Sequence, residues 1–367
     1  MKGLMGMMGN ILGRLIRSYR TKRLEPALRE QEAFYAMFSN GVRRQGGALV
    51  ANGVAPRAAA TVRPPRSETA SPRPSASASP RPETPGTPPL ETVRAWQLER
   101  FNEVWADIPF RVPYYVDLMG ELPPRFNSWE EFSALMPVLD RRTVQLRGDD
   151  LFDPTEQPDY YRTTGGSSAE PVQIPSWSRE RDYCTADMWY GRSWYGVDPG
   201  DRLFVMWGHR HLLGTGLSGL ANKWIRGTKD ALAGYRRFSA YDVSDEAMRR
   251  AGDELLDFKP DYVLAYASAL DRFARVNRDR SFAHLNLKVA IATAESFPRA
   301  DSAAVIEDVL GCPVAMEYGC VETGPLAYQH PDGTYHVFWR HYYLESVPSP
   351  DVHGAHELLV TGLHPRC

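Results

Sequence analysis

The stretch Tyr262-Val263-Leu264-Ala265-Tyr266 is a run of five apolar or aromatic residues. A Lys-Pro-Asp turn signal precedes it and Ala267-Ser268-Ala269-Leu270 follows. An apolar run of that length next to a breaker reads as a buried strand. Helical spacing precedes it over residues 246–258 and follows it over 268–277. The alternation then continues with a strand over 289–293, a helix over 300–310 and a strand over 314–318. Strands separated by such helices imply an α/β fold, a mainly parallel sheet with helices on both faces. Ligands of such sheets bind outside the carboxyl ends of the strands. Three stretches fall there: Tyr266-Ala267-Ser268-Ala269-Leu270, Thr293-Ala294-Glu295-Ser296, and Tyr318-Gly319-Cys320-Val321-Glu322-Thr323-Gly324.

Towards the N-terminus, residues 201–207 read as another strand, between Gly200 and Gly208, and 178–194 as an aromatic-rich helix. Gly214-Thr215-Gly216-Leu217-Ser218-Gly219 is formally a G-x-G-x-x-G. A segment containing His209 and His211 separates it from the strand, the wrong context for a dinucleotide-binding turn. Residues 172–175 read as a strand, preceded by Thr164-Gly165-Gly166-Ser167-Ser168-Ala169-Glu170-Pro171. Two glycines and three hydroxyls there let successive N–H groups converge on an anion. Taken alone, the same stretch also reads as a surface turn. Further upstream a helix is expected over 92–105, Pro113 breaks helical structure, and Ser128 with Glu131 three residues on signals a helix start. Pro137-Val138-Leu139 leads into a short helix over 140–147. After Tyr335 the pattern turns β-rich and ends with a strand over 357–361.

With 43% hydrophobic residues, nine Trp and eighteen Tyr, the chain can build a sizeable core. Its net charge of −2 argues against nucleic acid as a partner. The charge is uneven: residues 1–90 hold 14 Lys and Arg against five Glu, so a +9 leader precedes a −11 body. Cys184, Cys312, Cys320 and Cys367 show neither C-x-x-C pairs nor zinc-finger spacing, which reads as reduced thiols in a cytoplasmic protein. No run approaches the ~18 apolar residues of a membrane span. Residues 1–50 read as a basic, amphipathic helical leader, with a second helix over 25–38. The leader fits an anionic membrane surface, packing on the globular body, or a poorly ordered start weakened by Gly3, Gly6, Gly9 and Gly13. Residues 51–91, rich in Pro, Ala, Ser and Arg, read as a disordered linker. Residues 92–367 form the body.

Within that body the hydroxyl/Gly loop, the Ala-Glu after one strand and the Tyr-Gly-x-x-Glu after the next recur in a fixed order. In that order the sequence resembles the adenylate-forming enzymes. It looks most like the phenylacetate–coenzyme A ligase family, including relatives from capsular polysaccharide gene clusters. The family's loop reads approximately T-[ST]-G-[ST]-[ST]-G-x-P and is matched with departures by residues 164–171, and its Y-G-x-[ST]-E corresponds to Tyr318-Gly319-Cys320-Val321-Glu322. The resemblance implies ATP-dependent activation of an aryl or acyl carboxylate, with transfer to coenzyme A or another acceptor. Thr164, Gly165, Gly166, Ser167 and Ser168 would hold the phosphates. Glu322 would bind Mg²⁺, and Tyr318 and Gly319 with Thr323 would sit beside the adenine. Ala294, Glu295 and Ser296 would line the nucleotide, and Tyr266 and Ala267 would wall the acyl pocket. On the residues alone, Glu322 or Glu295 could equally be a helix-start carboxylate and Tyr318 a strand-end core aromatic. A homodimer is also implied.

The sequence departs from the family at Ala169, where the loop has its last glycine, at Glu170, where lysine is common, and at Val321. It stops before the family's R-x-G-D-type segment and small C-terminal domain, so only the large N-terminal domain is expected. A rival reading is a catalytically weak or inactive homologue, a nucleotide- or acyl-binding or membrane-tethered scaffold.

Overall fold

The computed structural model describes residues 2–39, 89–164, 171–208, 227–349 and 352–364. Seven strands form the main sheet: β3 (Leu203–Trp207), β4 (Tyr235–Ser239), β5 (Tyr262–Tyr266), β6 (Ala290–Thr293), β7 (Val314–Cys320), β8 (Gly324–Gln329) and β9 (Tyr335–Val337). Their order is β4-β3-β5-β6-β7-β8-β9. The strands from β4 through β7 are parallel, and β8 and β9 run antiparallel at one end. Two further hairpins stand apart. They are β1 (Tyr160–Thr163) with β2 (Gln173–Ser176), and β10 (Tyr342–Pro348) with β11 (His356–Gly362).

The period-2 alternation of the parallel strands sorts their side chains onto two helical layers. Phe204, Met206, Val263, Ala265, Ala290 and Ala292 pack under α8 (Asp245–Phe258), α9 (Ala267–Val276) and α10 (Ser302–Leu310). Leu203, Val205, Tyr262 and Ile291 face the other way, towards Trp189 and Tyr190 of α7 (Ser178–Ser193). Each fully buried Leu, Ile or Phe contributes about 1.5–3 kcal/mol. Ser244 starts α8 by accepting the Ala247 N–H, and Lys259 ends it in the left-handed region at φ +50°.

Asp271 of α9 is 2% exposed and receives Arg275 at 3.0 Å and Arg299 at 2.8 Å. Burial alone would raise its carboxyl, but hydrogen bonds from Arg275 and Ser302 and the two guanidinium charges hold it below the ordinary range. Its contribution to stability is therefore present above the unfolded value of about 3.9 and lost as pH falls through the lower folded value. Asp271→Asn should narrow the difference in melting temperature between pH 6 and pH 3. An undiminished difference would contradict this.

The N-terminal helices are α1 (Lys2–Ser39), α2 (Leu90–Trp105), α3 (Ile108–Arg111), α4 (Pro113–Val116), α5 (Trp129–Leu135) and α6 (Arg141–Arg147). Ser128 and Asp140 cap α5 and α6 through the N–H groups of Glu131 and Thr143. Pro113 ends α3 and begins α4, since a proline lacks the N–H that only the first turn can spare. Instead of two leader helices there is one, continuous through Pro26. Packing compensates for the local breaker: Tyr35 stacks on Tyr190 at 5.1 Å, and the buried Gln31 donates to the buried Asp187. Asp187 also meets His341 Nδ1 at 2.7 Å. Among the described residues no helix is long and apolar enough to cross a membrane.

Candidate active site

Register places Tyr266, Thr293 and Glu317 in one row across β5, β6 and β7. The residues just beyond that row therefore share the carboxyl edge of the sheet, as the alternating pattern requires. Each strand leaves the edge differently.

Near the end of β7 its register with β8 shifts between Tyr318 and Gly319. Gly319 lies so close to β8 that a Cβ there would stand 2.3 Å from the Gly324 carbonyl oxygen. The chain then turns through Val321, Glu322 and Thr323 straight into β8. No helix begins here, which corrects the helix-start reading of Glu322. Gly324 and Pro325 open a strand instead, because proline is tolerated at a strand's start. The turn is pinned from beneath. The Tyr342 hydroxyl donates to the Thr323 carbonyl at 2.5 Å, and Cys184 Sγ donates to the same oxygen at 3.1 Å. Cys320 Sγ and Thr323 Oγ1 are 3.1 Å apart. Glu322 is exposed at the tip and Tyr318 is 50% exposed, so Tyr318 is not a core aromatic.

After β6, Ala294 takes a left-handed backbone at φ +71°, a conformation that costs an alanine about 1–2 kcal/mol. The strained turn brings Glu295 to the start of α9. There Glu295 Oε1 accepts the Ser268 N–H at 2.9 Å and the Ser268 hydroxyl. Glu295 thus occupies a helix-start position, that of the neighbouring helix rather than its own, and complements that helix's dipole. Ser296 is exposed beside it.

After β5, Tyr266 stacks on Trp207 of β3 at 4.4 Å and 22°. Partial burial pushes the Tyr266 phenol above its ordinary value, so it stays protonated and able to donate. Ala267 is fully buried in the core beneath α8–α10. Its side chain is thus part of the floor under the edge rather than a surface wall. Trp207 was not among the residues expected at the site. Its only sequence signal is its place at the end of a strand.

Thr164 lies on the separate β1–β2 hairpin. It is buried, its N–H donates to the Val172 carbonyl, and its hydroxyl oxygen accepts the Val172 N–H, both at 2.9 Å. It therefore extends the pairing of β1 with β2 by one more residue pair. Gly165, Gly166, Ser167 and Ser168, with Ala169 and Glu170, lie outside the described residues, as does the G-x-G-x-x-G at 214–219. The structure thus brings together residues 266–268, 294–296 and 318–323 and leaves Thr164 on its own hairpin. The edge offers an exposed carboxylate, aromatic faces and exposed backbone.

No family model matches the sequence, and no curated protein matches it. Solved structures do match. One is a 2-hydroxyisobutyryl-CoA ligase in complex with 2-HIB-AMP and CoA in the thioesterification state: TM-score 0.56, 18% identity, covering 75% of this chain and 61% of that one. The same ligase in the postadenylation state with 2-HIB-AMP gives 0.55 and 19%, covering 75% and 60%. Its open conformation gives 0.55 and 18%, covering 74% and 61%. The chain spans about three fifths of the length of the ligase structures it matches. At this level of similarity the chain shares with these ligases an α/β fold, a mostly parallel sheet between helical layers with a β-rich C-terminal region.

Proposed function

We propose that this chain binds ATP along the carboxyl edge of β5, β6 and β7 and activates an aryl or acyl carboxylate as its adenylate. Coenzyme A or another acceptor would then take the acyl group, as the resemblance to phenylacetate–CoA ligases implies. The supporting observation is the meeting of residues 294–296 with residues 318–323 on one sheet edge, within a fold shared with CoA ligases.

A carboxylate is already a nucleophile. Its oxygen forms the bond to the α-phosphorus while the bond to pyrophosphate breaks, and no general base is required. The protein's part is positioning and charge neutralisation. Ser167 and Ser168 would hold the β- and γ-phosphates, with the buried Thr164 bracing the hairpin that carries them. The half-exposed Tyr318 would lie beside the adenine, and Ala294, Glu295 and Ser296 would line the nucleotide. The Trp207–Tyr266 pair would wall the acyl side. Glu322 is an exposed oxygen donor on a pinned turn, which fits Mg²⁺, an ion that needs only one or two protein carboxylates. When bound, Mg²⁺ supplies neutralisation of phosphate charge.

The test is carboxylate-dependent exchange of labelled pyrophosphate into ATP, over a panel of aryl and aliphatic acids. Exchange above background with at least one acid is expected. Clear ATP binding without exchange by any acid would favour the second reading, a nucleotide-binding homologue without turnover. Glu170 favours that reading, because it puts an acidic residue in the motif where the family commonly has lysine.

A further inference from the structure

At the far end of β8 from Glu322 lies the hairpin His330-Pro331-Asp332-Gly333-Thr334-Tyr335-His336. Gly333 N–H donates to the His330 carbonyl and His330 N–H to the Thr334 carbonyl, both at 2.8 Å. Pro331 and Asp332 are the middle residues of this turn, and Gly333 takes φ +89°. This is a type I turn closed by a left-handed glycine, one of the rigid short connections between antiparallel strands. β8 and β9 pair with Tyr328 opposite His336, so His330 and His336 are diagonal neighbours on one face. Their rings lie 5.1 Å apart, and Trp194, at the end of α7, packs edge-on against them at 5.3 and 5.2 Å.

Asp332 divides its carboxylate. Oδ1 accepts the N–H and the hydroxyl of Thr334 at 2.8 and 2.6 Å, which fixes the turn. Oδ2 stands 3.1 Å from His330 Nδ1. One donor atom from each of His330, Asp332 and His336 lies within 4.8 Å of the others. A tetrahedral zinc with bonds of about 2.0–2.1 Å spaces its ligand atoms about 3.3 Å apart. The His330–Asp332 pair already has nearly that spacing, and His336 needs a shift of about 1.5 Å or less to reach it.

We propose that His330, Asp332 and His336 form a binding site for a divalent transition metal. Two imidazoles and a carboxylate are the ligand set of zinc, not of magnesium, which takes oxygen donors. With three protein ligands, a fourth position is left to water. Because β8 is antiparallel to β7, this site sits at the opposite edge of the sheet from the candidate nucleotide site. Six residues of strand, roughly 20 Å, separate them. The metal would tie the two arms of the β8–β9 hairpin to each other beside Trp194. Its effect is on the stability of that edge and is independent of the proposed adenylation.

The test uses the full chain, stripped with chelator, dialysed against ZnCl₂ and counted for metal by mass spectrometry. One zinc per chain is expected for the wild type and none at this site for the His330→Ala/His336→Ala double variant. Zinc should raise the melting temperature of the wild type and not of the double variant. Asp332→Asn retains the turn through its side-chain oxygen and should weaken zinc binding at least tenfold while the circular dichroism is unchanged. The proposal is overturned if the wild type takes up no zinc, or if the double variant or Asp332→Asn binds as many equivalents as tightly.

Discussion

Glu317→Ala should lower the stability of the body by about 3–5 kcal/mol, the usual effect of stripping a buried ion of its partner. Glu317 Oε2 accepts from Arg192 Nη2 at 3.2 Å, and the two side chains are 13% and 4% exposed. The guanidinium is enclosed by the rings of Trp189 and Tyr262, at 5.2 and 5.8 Å. With Glu317 gone, Arg192 keeps its charge in a place that water does not reach. For a body of this size the loss corresponds to a fall in melting temperature of about 6–20 °C. Replacing both partners, Arg192→Met with Glu317→Leu, should restore most of the stability, because the buried charge disappears with its counter-ion. Thermal melts of the two variants check both halves. A Glu317→Ala protein as stable as the wild type would contradict the prediction. Glu317 immediately precedes Tyr318, so the same ion pair fixes the end of β7 from which the site projects.

Gly319→Val should separate function from folding. Its Cβ would fall 2.3 Å from the Gly324 oxygen and 2.9 Å from Pro325 Cα, both backbone atoms that cannot rotate away. The β7–β8 connection must open, which costs about 1–3 kcal/mol. The core beneath α8–α10 does not include this turn and should stay folded. The Glu322 tip would be displaced, so ATP affinity should fall more than tenfold while far-ultraviolet circular dichroism holds. Wild-type affinity in a folded Gly319→Val protein would remove this turn from the site.

The alternation between residues 246 and 318 was legible because each segment carries a strong period of its own. β5 spans the residues expected of it, and α8 differs by one residue. β4 was not legible. Its Arg236 and Arg237 give no apolar run, and it is a strand only because β3 pairs with it along one edge. β8 was obscured by Gly324-Pro325, two residues disfavoured in strands that this one tolerates at its first positions.

At the site, the order of the motifs was visible in sequence, but the contacts between them were not. The cap that Glu295 places on α9 depends on the left-handed Ala294, which no local propensity favours. The Trp207–Tyr266 stack depends on the register of two strands 55 or more residues apart in sequence. The docking of α1 on the body also rests on non-local contacts. Gln31 and Tyr35 bury themselves against Asp187 and Tyr190, partners that the leader's own composition does not reveal.

The most direct test is calorimetric titration of Mg²⁺–ATP into the full chain and into Glu322→Ala. A single site is expected in the wild type. In Glu322→Ala its affinity should fall at least tenfold, about 1.4 kcal/mol, with the melting temperature unchanged because Glu322 is exposed. No binding by the wild type at millimolar ATP, or equal affinity in the two proteins, would contradict a nucleotide site on the carboxyl edge of β5, β6 and β7.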